Sequence, residues 1–519
     1  MGMAKQKVYD AIVVGAGASG GWAAKELTEG GMQVCLLDAG ETPRQKEWLI
    51  FKQDILRKLK YRGKVDQRSL SLQRQPIQSK TFAWEWNYEN FVDDIDNPYT
   101  TPDNQPFIWL RSRQVGGRMV AKAHGRQLYR LSDYNFKAAN RDGYGENWPI
   151  GHQDLAPYYA HVERWVGVRG TVEEIPHLPD SVVLPHRVLS DGEELFKVAV
   201  ESRWSDRQVI PGRFAPPPST VPIAQKTGRL KLRSNSIASH IIVDYDTGKA
   251  KGVAVIDRYT HKSYEIYAKV VILCASSIES TRLLLNSATR QHPNGLGNSS
   301  GVLGHYLMDH INSIKVTGII PNPNSFARNQ PTGGFYIPQF QNIRDQHPNF
   351  IRGYGIQGSA AREVPEDSDR VPFTMTAFGE MLPRFENYVT LDPNHKDAWG
   401  IPVAHISCAF SDNEVAMAQD QQQTLKEMAE ASGFIVESES RTLAPPGTAL
   451  HEVGTARMGN DPKTSVLNRF NQSWDVPNLF ITDGSCFPSQ GCQNPTLTIM
   501  ALTVRACDYI LDQSRKGNL

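Results

Sequence analysis

Residues 9 to 38 constrain the fold of this chain more than any other stretch. Tyr9-Asp10-Ala11-Ile12-Val13-Val14 reads as a buried strand. Gly15-Ala16-Gly17-Ala18-Ser19-Gly20 follows at once, then a helical run from Gly21 to Glu29 that Gly30-Gly31 stops. Gln33-Val34-Cys35-Leu36-Leu37 reads as a second strand, with Asp38 at its end. Strand, GxGxxG, helix, strand and acid in this order predict a dinucleotide-binding βαβ unit. Gly15 permits the tight turn, Gly17 lets the backbone approach a pyrophosphate, and Gly20 lets the helix pack close to the strand. Ala18 and Ser19 lie between them, where the helix N-terminus offers unpaired N–H groups and a partial positive charge to phosphates. Asp38 can accept hydrogen bonds from a ribose.

A competing motif overlaps this one. Gly17-Ala18-Ser19-Gly20-Gly21 also matches GxSxG, the nucleophile elbow of α/β-hydrolases. A hydrolase needs its elbow strand later in the sheet and an Asp and His to complete a triad. Here the strand opens the chain, and the GxGxxG register explains three glycines rather than two. Ser19 then reads as a small residue in a tight turn.

A chain of 519 residues is too long for one simple core and predicts two large domains. Lys and Arg total 56 against 55 Asp and Glu, a net charge of +1, and no basic run resembles a nucleic-acid patch. The short basic run Arg57 to Arg62 reads as a solvated helix face. No stretch of eighteen apolar residues predicts a transmembrane helix. Met1 to Lys7 shows no signal-peptide core, so the expected location is cytoplasmic, or periplasmic if the chain is exported with a signal-bearing partner. Six scattered cysteines, none in a CxxC, read as buried free thiols. His451-Glu452 fails as a metalloprotease motif because position 455 is Thr455. His305, Asp309 and His310 read as structural, and no metal site is expected.

Further along, Asp93 to Asn104 is turn-rich and suits a loop covering a cofactor. Arg113-Gln114-Val115-Gly116-Gly117 carries the glycines a second backbone approach to the dinucleotide requires. A helix is expected from Asp154 to Arg169, and residues 210 to 222 form a proline-rich connection. Leu230 to Asp257 alternates in strand fashion. Lys269 to Ala275 reads as another buried strand, running into a helix from Ser276 to Asn286. Asn387 to Leu391 and Val403 to Ser407 predict an antiparallel sheet. Leu479 to Thr482 is a short apolar strand ending at Asp483, and Thr496 to Gln513 a closing helix.

Two late segments complete the pattern: His451-Glu452-Val453-Gly454-Thr455-Ala456-Arg457-Met458-Gly459, and Asp483-Gly484-Ser485 followed by Gln493-Asn494-Pro495-Thr496-Leu497-Thr498. With the βαβ unit, Asn147-Trp148-Pro149-Ile150, Ala275-Ser276-Ser277-Ile278-Glu279-Ser280 and Leu307-Met308-Asp309-His310, the chain resembles the glucose–methanol–choline oxidoreductases, FAD enzymes that oxidise alcohols. Within them it looks most like the bacterial sugar-oxidising branch, which includes pyranose oxidases and glucoside 3-dehydrogenases. Many family members have a His at the second catalytic position, where this chain has Asn494.

The resemblance implies an α/β fold: a Rossmann-like FAD-binding domain with a substrate domain built on an antiparallel sheet, like p-hydroxybenzoate hydroxylase. The expected division is 1–170, 225–310 and 450–519 for the FAD domain, and 171–224 and 311–449 for the substrate domain. It implies FAD held by Gly15, Gly17, Ala18, Ser19, Gly20, Asp38, Arg113, Gly116, Gly117, Ala275, Asn494 and Thr496, with Asp483 near the ribityl or pyrophosphate and Ile237 near the adenine. The covalent-linkage position of some relatives counts to Ala121, with His124 nearby, and non-covalent FAD is expected.

Alcohol oxidation removes a hydride from carbon and a proton from oxygen. Flavin takes the hydride, and a neutral imidazole takes the proton near pH 7. His451 is the expected base, and Asn494 the expected donor to the oxygen as it gains charge. The implied reaction oxidises a secondary hydroxyl of a sugar or glycoside, favouring C3 and a 3-keto product. Electrons pass on to O2, a quinone or a cytochrome, with dehydrogenase favoured over oxidase and a small accessory subunit as a further expected partner. The alternatives are a gluconate-like or polyol dehydrogenase of the same family and a non-catalytic flavin- or sugar-binding subunit, which would have no need of both His451 and Asn494. Glu380, Arg384 and Asn387 are expected to face the sugar.

Overall fold

The computed structural model describes residues 7–42, 67–81, 83–120, 127–185, 189–321, 333–360 and 370–519. The basic run at Arg57 to Arg62, and Ala121 and His124, lie outside them.

Strand β1 (Val8–Val14) has an unbroken apolar run from Ala11 to Val14, and β2 (Val34–Leu37) is buried throughout. Strands that are covered on both faces take such continuous runs, and the two pair in parallel. Helix α1 (Ala18–Glu29) connects them, starting three residues before the expected Gly21 because Gly17 is already its N-cap. Strand β3 (Ser263–Leu273) lies on the other side of β1. Among the described residues the sheet has seven strands, running Leu230–Arg233, β2, β1, β3, Ala250–Asp257, Ser236–Val243, with Leu479–Ile481 also paired to β3. The half of β3 nearest the glycine turn is parallel to β1; its other half is antiparallel to Ala250–Asp257.

Helix α2 (Ser277–Leu285) leaves the end of β3 as expected. A second, six-stranded sheet includes Lys315–Ile320, β4 (Tyr354–Ala360) and β5 (Val371–Gly379), paired antiparallel. Its inner face and the buried side of α3 (Asp412–Ala431) enclose a separate core that includes Phe196, Phe335, Tyr354, Met417 and Leu425. Burial alternates along β5, so one face packs inward. The strands Tyr388–Lys396 and Pro402–Ser407 pair antiparallel as expected, but as a separate hairpin. Its Val389, Ala404 and Ile406 pack into a first core, built on the first sheet with Ile12, Val14 and Leu273, and not into the second.

Helix α4 (Thr496–Arg515) packs against α1 and closes the chain. All six cysteines are buried and free. Among the described residues no helix is long and apolar enough to cross a membrane, and no cluster of three or more His, Cys, Asp or Glu side chains is placed to hold a metal ion.

Candidate active site

At the end of β1, Gly15 adopts φ +97°, and a Cβ there would sit 2.4 Å from the Cys274 carbonyl oxygen. A Cβ on Gly20 would lie 1.7 Å from the Gly15 carbonyl oxygen, so only glycine lets α1 start this close to the strand. Gly17 is different: a Cβ there would meet nothing nearer than the Gly117 Cα at 4.0 Å. Its open side and Gly117 border one cavity, which is the space a pyrophosphate needs. Gly116 supports this second approach from behind, its N–H donating to the Ala16 carbonyl at 2.8 Å.

The Ser19 hydroxyl bonds to the hydroxyls of Thr482 (2.9 Å) and Thr503 (3.0 Å), which tie α1 to the strand at 479–481 and to α4. It has no histidine partner among these contacts, and a nucleophile elbow requires one. Asp38 is buried at the end of β2 and accepts from Ala16 N–H (3.0 Å) and Gly40 N–H (2.8 Å). Burial pushes its carboxyl up to about 6, while those two N–H groups pull it back. Gly40 escaped the sequence reading: its Cα packs so tightly on Arg113 that a Cβ would lie 1.6 Å from that carbonyl oxygen.

Two neighbouring cavities share Gly15, Asp38, Arg113 and Ala275 in their walls. One extends past Ile237 and Ala238; the other runs past Ala18, Ser19, Asp483 and Thr496 to His451 and Asn494. Of the expected cofactor residues, Gly20 and Gly116 stand behind these walls and the others line them. An elongated dinucleotide fits this channel, with glycine backbone at its middle and an apolar strand residue at one end. Arg113 is paired with Glu279 at 2.7 Å. Burial opposes the ionisation of Glu279, but Arg113 and Arg282 outweigh it and hold the carboxyl down at about 2. Asp483 is buried; its carboxylate accepts from the Ser485 N–H at 3.0 Å and from the Ser280 hydroxyl.

At the far end, His451 and Asn494 come together although 43 positions separate them. Asn494 Nδ2 lies 3.3 Å from His451 Nε2, and Asn494 Oδ1 accepts from Gln357 Nε2 at 2.8 Å. Gln357 comes from β4, so the second sheet supplies part of this site. On the other side, His451 Nδ1 lies 2.8 Å from His310 Nδ1, and His310 Nε2 lies 2.7 Å from the Gly491 carbonyl oxygen. Burial lowers His310 to about 4, so the ring is neutral at pH 7.

The loop carrying His451 is strained and clamped. Leu450 and Thr455 hold left-handed backbone, at φ 65° and 85°. The Asp309 carboxylate takes three N–H groups of this loop: Gly447 (2.7 Å), Ala449 (3.1 Å) and His451 (3.0 Å). Burial and the neighbouring Glu452 raise Asp309 to about 7, against those bonds. Glu452 itself is paired with Arg118 at 2.7 Å.

Asp309 and His310, read from the sequence as structural, therefore contact the His451 segment directly. Gln357 was missed altogether; a lone Gln in a strand carries no local signal. Glu380, Arg384 and Asn387 do not line the His451 cavity. Glu380 is buried against Arg352 (3.2 Å), and Asn387 accepts from the Ala409 N–H (3.0 Å).

Family models described as GMC oxidoreductase match residues 220–312 and 383–503. A 2-methyl-1,2-propanediol dehydrogenase of Mycolicibacterium austroafricanum is 30% identical, over 96% of this chain and 95% of the relative. The fructose dehydrogenase large subunit of Gluconobacter japonicus is 27% identical, over 98% of both. The solved structure of an Aspergillus oryzae formate oxidase variant, studied for its FAD modification, superposes with a TM-score of 0.66 at 14% identity, covering 99% of this chain and 100% of that one. The glycine cradle, the two-sheet architecture and these likenesses agree: the chain belongs to the GMC oxidoreductase family, enzymes that work with FAD.

Proposed function

We propose that this protein oxidises a secondary hydroxyl of a sugar or glycoside to a ketone, with C3 of a glucopyranoside as the favoured position. The reading is carried by the pair at the end of the channel: an imidazole nitrogen and an amide nitrogen 3.3 Å apart, on residues that line the same cavity. Bound in the channel, FAD supplies the acceptor for the hydride that leaves the carbinol carbon. His451 Nε2 takes the hydroxyl proton, and Asn494 Nδ2–H donates to the same oxygen as negative charge builds on it. The carbon–hydrogen pair of electrons and the oxygen proton thus leave to separate acceptors, and a carbonyl remains. The bound FAD is non-covalent in this reading, so acid precipitation leaves the protein colourless and the supernatant yellow.

Among the described residues, the cavity wall carries the amides of Asn494, Gln357, Asn312 and Gln127, which suit hydroxyl groups. Arg111, Arg113 and Arg118, which also line the cavity, are paired with Asp94, Glu279 and Glu452. That commitment disfavours a sugar acid such as gluconate, whose carboxylate needs a cation to itself. The similarity to a propanediol dehydrogenase and a fructose dehydrogenase favours dehydrogenase over oxidase and supports an acyclic polyol as the second reading. The name of the latter, a large subunit, is the support for an accessory subunit here.

The test is anaerobic flavin reduction with a panel of glucosides, free pyranoses and short polyols, followed by product analysis. Bleaching by glucosides with a 3-keto product is expected. Bleaching by diols alone selects the second reading, and no bleaching by any alcohol rejects both.

A further inference from the structure

Both ring nitrogens of His451 face a nitrogen: Nδ1 faces His310 Nδ1 at 2.8 Å, and Nε2 faces Asn494 Nδ2 at 3.3 Å. A nitrogen–nitrogen contact is a hydrogen bond only if one partner carries the proton and the other the lone pair. What decides the direction is the far end of the row. The Gly491 carbonyl, 2.7 Å from His310 Nε2, can only accept. His310 is neutral and buried, so it holds one ring proton, and that proton must sit on Nε2. Its Nδ1 is then an acceptor, which draws the His451 proton to Nδ1 and leaves the Nε2 lone pair pointing to Asn494.

The opposite end agrees. Gln357 Nε2 donates to Asn494 Oδ1, which turns Asn494 Nδ2–H toward His451 Nε2. An amide can turn over and reverse its polarity, whereas a backbone carbonyl cannot, so Gly491 is the anchor. Its own position is fixed: Gly491 holds φ +72°, and a Cβ there would lie 2.7 to 2.9 Å from Gln493, Asn135 and Leu131 side-chain atoms. His310 is held in turn by its place in the chain next to Asp309, whose carboxylate clamps the loop that carries His451.

We infer that His310 is a positioning residue which, anchored on the Gly491 carbonyl, fixes His451 in the tautomer that bears its lone pair on Nε2, the atom aimed at the substrate hydroxyl. The inference rests on the proposed reading of His451 as base for its consequence, but not for the tautomer itself. An imidazole with its proton on Nε2 offers the incoming hydroxyl a donor where an acceptor is required.

Two variants separate the acceptor from the ring. His310→Phe keeps a ring and removes the acceptor; His310→Asn removes the ring and keeps an acceptor at the Nδ1 position. Nitrogen NMR of the FAD-loaded protein with isotope-labelled histidine, His451 being assigned by the signal lost in His451→Ala, reads the tautomer without any turnover. The wild type is expected to show a pyrrole-type Nδ1 and a pyridine-type Nε2 at His451, and His310→Asn to keep that pattern. His310→Phe is expected to move His451 to the other tautomer or to an average, and to slow flavin reduction by about 10–10²-fold where His310→Asn restores most of the rate. A wild-type His451 protonated on Nε2, or a His310→Phe protein with the wild-type nitrogen pattern, overturns the inference. If no alcohol reduces the flavin, the functional proposal fails and the nitrogen signals alone decide this one.

Discussion

The glycine cradle lies along the middle of the channel and the His451 centre at one end, and the two are built on opposite plans. The cradle is backbone. Its parts sit within residues 14 to 40, with the 113–117 segment pressed on it, and work by lacking side chains. The His451 centre is side chain. It gathers Asp309, His310, Gln357, His451, Gly491 and Asn494 from four distant segments, one of them a strand of the second sheet. At Gly15 and Gly20 the backbone site tolerates no added atom; the side-chain site depends on proton positions.

The largest effect is expected at the side-chain end. His451→Ala should slow flavin reduction by about 10²–10⁴-fold while FAD content stays at the wild-type level. A loss smaller than about tenfold in stopped-flow reduction removes His451 from the role of base.

Next in size is a pH effect at the same end. His310 falls from its ordinary 6.5 to about 4 in the folded chain. Between those values the unfolded chain binds more protons, so the contribution of His310 to stability is lost as pH falls through that window. The difference spans about 3 kcal/mol at most. Asp309, raised to about 7, acts in the opposite direction, but it is present in both proteins compared. The Tm advantage of wild type over His310→Asn should therefore shrink from pH 6.5 to pH 4. Parallel Tm curves would contradict a buried neutral imidazole.

At the cradle, Gly20→Ala puts a carbon 1.7 Å from the Gly15 carbonyl oxygen. Helix and strand must part, costing about 1–3 kcal/mol in thermal unfolding and weakening FAD retention. An unchanged flavin-to-protein ratio would show that the cradle yields more than its geometry suggests.

The smallest effect is expected for a side chain within the cradle. Ser19→Ala removes hydroxyl bonds to Thr482 and Thr503 and should cost about 1 kcal/mol with turnover intact. A Ser19→Ala protein that folds but is inert would reopen a direct role for this hydroxyl.

The same contrast explains what could be read from the chain. Gly15, Gly17 and Gly20 announce the cradle because backbone contacts are local and their spacing is the motif. Strand β1 could be placed because a strand covered on both faces leaves an unbroken apolar run. His451 and Asn494 could be named only through the resemblance, since 43 positions lie between them. His310 was visible beside Asp309, but nothing local says which imidazole it meets. Gln357 left no mark, because strand periodicity records only which face it lies on. The hairpin at 388–407 shows the same limit: alternation predicted its pairing, while its docking on the first core depends on contacts no strand pattern contains.

Gly491 has a practical meaning for anyone reshaping this pocket. Its left-handed backbone and crowded Cα admit glycine alone at that position. Libraries aimed at new substrates can vary Phe378 and Asn312, which line the cavity. A randomised codon 491 would instead rotate the one oxygen from which the whole row of imidazoles takes its orientation.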